Sequence, residues 1–348
     1  MPLKRAAVWL LAATALLLAL AGCGREPLVQ SRSYVFGTLV DISIYGEDEA
    51  RAQALTSQVL REFQRLHDSL HAWQPSELSR LNDAFAAGNT AAVTPELAAI
   101  INDAARISVQ SGGLFNPAIG HLIKLWGFHS DEFVPQNPDP AKIGALVAAA
   151  PGMADIAIDG TQARSRNPAV KLDLGGYAKG YALDRALELL RREKVHGALV
   201  NIGGNIIALG KHGEVPWRIG IQHPRQPGPI ATLELADGWA IGTSGDYQRF
   251  FELDGKRYCH IIDPRSGYPV QGVQAVTVLI PPGAQAGTLS DAVSKPIFIN
   301  APDWRATARK LGVEHVMLID APGTVHLTQA MRERIKFVEK NVRLEIVP

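Results

Sequence analysis

Asp291, Ser294 and Lys295, in "LSDAVSKPIF" (289–298), put a carboxylate, a hydroxyl and an ammonium within five residues. An Asp and a Ser three apart at the opening of a helix would suit a hard cation and a phosphate. Lys295 does not fit that reading, because an ammonium has no lone pair for a metal at neutral pH, and Pro296 behind it works against a regular helix. The residues alone leave three readings open: a metal site, a metal site that has lost a ligand, or ordinary surface. A second stretch, "KLDLGGYAKGYALD" (171–184), runs from a strand through Gly175-Gly176 into a helix. Glycines let a ligand approach the backbone, and free N–H groups at a helix start attract anions. The motif is neither a Walker A loop nor a dinucleotide G-x-G-x-x-G, and by itself it is only a tight turn.

The elements that must position these groups follow from periodicity. Tyr34, Phe36, Thr38, Val40, Ile42 and Ile44 alternate between Ser33 and Tyr45 and predict a half-buried strand interrupted at Gly37. Leu55, Val59, Phe63, Leu66 and Leu70 predict an amphipathic helix over 48–72. Thr94-Pro95 starts another helix, which stops at Gly112-Gly113. The Pro-rich segment 131–140 reads as a loop between two lobes. Beyond it come strands near 154–159 and 169–174, a helix from about Gly176 to Lys194, and strands at 197–202 and 205–209. In the strand-rich second half, Asp254-Gly255 between alternating runs signals a hairpin. The expected fold is mixed α/β (α+β), with largely antiparallel sheets flanked by helices.

The N-terminus carries Lys4 and Arg5, an apolar run from Ala6 to Leu20, and "LAGC" ending at Cys23. This pattern describes an export signal over residues 1–22 and resembles a bacterial lipobox, which implies lipidation of Cys23 and one mature domain over 23–348. The expected location is periplasm-facing and lipid-anchored, with inner or outer membrane left open. Losing residues 1–22 removes two positive charges and turns the net charge of +1 into −1, so nothing in the charge balance favours nucleic acid. Cys259 is then the one remaining thiol besides Cys23, and the core must supply stability without an internal disulfide.

The blocks "FGT" (36–38), "WQPSELSRLN" (73–82), "GGLFNPAIGHLIKLWGF" (112–128), "DLGG" with "AKGY", "NIGGN" (201–205) and "HIIDPRSGYP" (260–269) together resemble the ApbE-type FAD:protein FMN transferase family, over nearly the whole mature chain. The resemblance implies an ApbE-like fold and FAD as substrate. It also implies Mg²⁺ at the pyrophosphate, AMP as product, and FMN joined through its phosphate to Thr or Ser of a target flavoprotein, expected in a membrane respiratory complex. Trp73 stands where the family has a flavin-stacking Tyr. Phe36, Leu114, Phe115 and Asn116 match the flavin pocket, with Phe36 and Asn116 replacing Met and Asp. Gly175 and Tyr181 match nucleotide contacts, and Asp173 and Lys179 flank the turn. His260, Ile262 and Asp263 match a block lining the adenosine and diphosphate region, where a His can titrate near neutrality. The Ala178 carbonyl, Asp291 and a Thr at the position of Lys295 match the metal ligands, with Ser294 compatible. Asp291, His260 and Lys179 are the candidate catalytic residues. Two rival functions remain: a non-catalytic FAD-binding maturation lipoprotein, suggested by Asn116 and Lys295, and an FAD pyrophosphatase.

Overall fold

The computed structural model describes residues 26–130, 132–339 and 341–347. The export-signal pattern and Cys23 lie outside the described residues.

A nine-stranded sheet forms the frame: β1 (Leu28–Val35), β2 (Thr38–Tyr45), β3 (Gly197–Ile202), β4 (Asn205–Gly210), β5 (Ala240–Gly245), β6 (Val273–Ile280), β7 (His315–Asp320), β8 (Val325–Thr328) and β9 (Leu344–Val347). Their spatial order follows their order in the chain. Each neighbouring pair is antiparallel except β8 with β9. Central β6 is buried along its whole length. Val276, Val278 and Ile280 belong to the core on one face of the sheet, and Ala275 and Leu279 to the core on the other. A strand covered on both faces reads as a continuous apolar run.

On one face lie helices α1 (Glu49–Leu70), α2 (Pro95–Gln110), α3 (Ala178–Arg192) and α4 (Ala286–Ile299). The predicted stripe of α1 is the buried one: Leu55, Val59, Phe63, Leu66 and Leu70 all point into the core. Each such side chain contributes about 1.5–3 kcal/mol on leaving water. Thr94 caps α2 by accepting from the Leu97 N–H, with Pro95 in the first turn. The other face is covered by a three-stranded sheet of Trp217–Gln222, Pro229–Leu235 and Ile335–Phe337. The hairpin around Asp254-Gly255 joins Phe250–Leu253 to Lys256–Cys259. The fold is thus mixed α/β with largely antiparallel sheets, as the element order implies.

Three local expectations are corrected. The alternation from Ser33 to Tyr45 is two strands, joined by a two-residue turn in which Phe36 (φ 57°) and Gly37 (φ 68°) are both left-handed. No strand spans 169–174, where Lys171 makes only an isolated bridge to Ile119; Gln162–Ser165 is a strand instead. Pro296 does not stop its helix, and α4 runs through it to Ile299. The Ala292 carbonyl loses its usual donor there, but nearly every side chain of α4 is buried, and that burial offsets a penalty of about 3 kcal/mol.

Candidate functional site

One cleft of about 1010 Å³ opens between the hairpin turn β1–β2, the C-terminal end of α1, the N-terminal end of α3, α4 and the segment 243–262. It is at the upper end of the roughly 300–1,000 Å³ range of small-molecule sites.

Aromatic and apolar side chains form part of its wall: Phe36, Trp73, Leu114, Phe115 and Ile262. Phe36 holds a left-handed backbone that costs a bulky residue about 1 kcal/mol. In return its ring sits 5.7 Å from that of His67 at the cleft wall. Trp73 is pinned by its edge, since its indole N–H donates to Asp173 Oδ2 at 2.9 Å. The other Asp173 oxygen accepts the Gly175 N–H at 2.8 Å. One carboxylate therefore locks both the indole and the Gly-Gly turn. Lys171 places its ammonium 4.9 Å from the Trp73 ring centroid.

The charged part of the cleft centres on Asp291, which is 1% exposed. Lys295 Nζ lies 2.6 Å from Asp291 Oδ1 and also donates to the Asp291 carbonyl at 2.7 Å. The Gly180 N–H, in the first turn of α3, donates to Asp291 Oδ2 at 3.1 Å. Lys179 Nζ stands 3.6 Å from that oxygen and donates to the Gly175 carbonyl at 2.9 Å. Burial would raise the Asp291 pKa, but the charges of Lys179 and Lys295 and its hydrogen bonds outweigh this and hold it down at about 2. Burial pushes Lys295 down from its usual value, against the pull of Asp291.

His260 also faces the cleft. Its Nδ1 is 3.2 Å from the Arg249 carbonyl, which only accepts, so Nδ1 carries the proton and Nε2 keeps its lone pair. Burial first, then the charges of Arg249, Lys179 and Lys295, depress its pKa to about 3. The expected titration near neutrality is corrected: His260 is a neutral imidazole there.

The α3–α4 contact brings these groups together because its glycines allow the backbones to meet. A Cβ on Gly180 would stand 2.4 Å from the Gly287 carbonyl oxygen. Asp184, one turn further along α3, accepts the N–H groups of Gly287 and Thr288 and the Thr288 hydroxyl, fixing the start of α4.

Of the residues chosen from sequence, the cleft gathers Phe36, Trp73, Leu114, Phe115, Asn116, Asp173, Gly175, Ala178, Lys179, His260, Ile262, Asp291 and Lys295. Three it does not gather. Tyr181 lies outside the cleft wall; its hydroxyl donates to Glu96 at 3.1 Å and its ring stacks on Tyr177. Ser294 is buried, donating to the Asp291 carbonyl and bonded to Ser244, each at 2.8 Å. Asp263 is paired with Arg265 at 2.7 Å. Sequence reading passed over His67, His71 and His129 on the cleft wall. For His67 and His71 a signal existed, since they stand four apart, in the last turn of α1 and at its C-cap, and their rings lie 5.2 Å from each other.

The family model for the ApbE family matches residues 36–317. The chain belongs to the ApbE family. A FAD:protein FMN transferase of Rhodobacter capsulatus is 40% identical over 314 residues, spanning 90% of this chain and 59% of that protein. One from Klebsiella pneumoniae is 36% identical, over 70% of this chain and 75% of its own length. The crystal structure of the ApbE protein of Thermotoga maritima superposes with a TM-score of 0.80 at 29% identity, covering 88% of this chain and 99% of that one. The flavinyl transferase ApbE of Pseudomonas stutzeri gives 0.77 at 27%, covering 90% and 98%. This chain therefore spans just under three fifths of its Rhodobacter relative.

Two departures from the ApbE pattern now have surroundings. Asn116 donates from its amide to the Pro151 carbonyl at 2.9 Å and accepts the Ala118 N–H at 3.0 Å, so it uses the donor that an Asp lacks. Lys295 changes the charge of the site. Both Asp291 oxygens already have protein donors, and the Ser294 hydroxyl donates to the Asp291 carbonyl. A divalent ion on Asp291 would stand beside the Lys295 ammonium, whose like charge works against the attraction of the carboxylate. The side chains at this place do not fit a divalent cation.

Proposed function

We propose that this chain binds FAD in the cleft and transfers FMN to a Thr or Ser hydroxyl of a partner protein, releasing AMP. The observation that carries the reading is that a single cleft is lined both by a pinned indole and by a cationic cluster at the glycine turn before α3. An indole held by its edge leaves a ring face for an isoalloxazine. The helix start, Lys179 and Lys295 supply positive charge for a diphosphate. In the step itself, the acceptor oxygen attacks the FMN-side phosphorus. The phosphoanhydride bond to the AMP phosphate breaks, and the hydroxyl proton passes to His260 Nε2. Asp291 keeps Lys295 and Lys179 charged and in place rather than touching the reacting atoms. Positioning and charge neutralisation are what such a displacement asks of a protein.

The relatives' names support this reading, since those cited from Rhodobacter and Klebsiella are FAD:protein FMN transferases. We further propose that the chain works from a lipid anchor at Cys23 on the periplasmic side, where the partner is a membrane-bound respiratory flavoprotein. The test is to incubate the purified chain with FAD and an acceptor protein and follow AMP together with protein-bound flavin. AMP in equal amount to covalent flavin is expected.

A further inference from the structure

We propose that the ammonium of Lys295, held by Asp291 and seconded by Lys179, is a built-in cation for the FAD diphosphate, so that this chain binds and cleaves FAD without a divalent metal. The inference rests on the FAD reading of the cleft. Its first support is the misfit of a divalent ion: Asp291 is already engaged by an ammonium at 2.6 Å. The second is where the lysine stem lies, against the glycine turn. A Cβ on Gly176 would stand 2.8 Å from Lys295 Cε and 2.9 Å from Cδ, so the second glycine of the turn is what lets the lysine stem lie against it. That seat brings Nζ beside the turn that leads into α3, where backbone N–H groups favour an anion. Third, an ammonium has three N–H donors, and Asp291 takes two of them, through Oδ1 and its carbonyl. The third is left for a phosphate oxygen at the cleft wall, where Lys295 and Lys179 both lie. Within this cluster two lysines stand against the one carboxylate of Asp291.

FAD and riboflavin binding to the full chain, each measured after chelator treatment and again with added Mg²⁺, tests this. The wild type is expected to hold FAD equally well in both conditions. Lys295→Thr, with chelator, is expected to lose about tenfold or more in FAD affinity, the scale of one charge-assisted hydrogen bond, and to keep its affinity for riboflavin. Added Mg²⁺ should restore FAD binding to that variant, and Lys295→Arg should stay metal-independent. Retained riboflavin binding reports that a variant is folded. Wild-type FAD affinity that collapses with chelator and returns with Mg²⁺ overturns the inference whatever the variants do. So does a Lys295→Thr protein that binds FAD as the wild type does in chelator. Transfer of FMN to an acceptor that occurs only with Mg²⁺ would likewise overturn it and leave the transferase reading intact. Metal-independent FAD binding and cleavage to AMP, without transfer under any condition, would remove the transferase reading and leave the built-in cation standing.

Discussion

Trp73 and Asp173 act as one device, because the indole is held at its edge by the same carboxylate that closes the Gly175 turn. Trp73→Ala should weaken FAD binding by about 0.5–1.5 kcal/mol beyond the lost area. Asp173→Ala should weaken it comparably although Asp173 need not touch the flavin, and fluorescence titration with FAD measures both. At His260 the sign of the pH dependence follows from its neutral state. A base whose pKa is pushed down to about 3 is already deprotonated at every ordinary pH. The kcat/KM for FAD, which reports the free enzyme, should therefore show no acid limb from a histidine between about pH 5 and pH 8. An acid limb near pH 6.5 that disappears in His260→Gln would contradict this assignment. At this scale the family blocks pointed to residues that line one cleft, Asp291 and His260 among them. The sequence was not legible where helical phase decides: Tyr181 lies on the face of α3 that meets Glu96, and Ser294 on the buried side of α4.

The contact between α3 and α4 is the element on which the charged cluster depends. Gly180→Ala would drive a methyl group into the Gly287 backbone, which cannot move aside as a side chain can. The variant should lose about 1–3 kcal/mol in urea unfolding, the usual cost of overpacking. Asp291 ties the two helices electrostatically. Its pKa is depressed from 3.8 to about 2, so the stabilisation is complete above pH 3.8 and is lost as pH falls through about 2. Asp291→Asn should lose stability at neutral pH, by about 3 kcal/mol because a largely buried ammonium is left unpaired, and should remove that part of the acid transition. The helices were readable from their apolar spacing and caps, and the hairpin at Asp254-Gly255 from its turn residues. The β1–β2 hairpin was not, because the even-numbered run from Tyr34 to Ile44 continues unbroken through the turn in sequence, while the pairing of Val35 with Thr38 switches which parity faces the core. Tyr34 pairs with Leu39, and both are exposed, whereas Val40, Ile42 and Ile44 are buried. Even-numbered positions in the two strands thus face opposite ways. The single strand placed at 169–174 failed for a related reason: those residues link the cleft to α3 and have only a bridge at Lys171 rather than a ladder.

For the whole molecule, the chain order of the sheet strands and the helical layer over one face leave the cleft between the sheet's first turn and the start of α3. That assembly of distant segments was visible in sequence only through the family blocks, since periodicity gives elements and not their neighbours in space. No helix among the described residues is long and apolar enough to cross a membrane. In the proposed arrangement Cys23 carries the lipid anchor. Cys23→Ser should abolish labelling by a radioactive fatty acid and release the chain from membranes; a variant that is still processed yet stays bound would contradict the anchor. The measurement that bears most directly on function is mass spectrometry of an acceptor flavoprotein after incubation with this chain and FAD, alongside quantification of AMP. Transferase activity predicts an FMN adduct on one Thr or Ser and one AMP released per adduct. Free FMN and AMP with an unmodified acceptor, or FAD bound with no AMP formed, would contradict it.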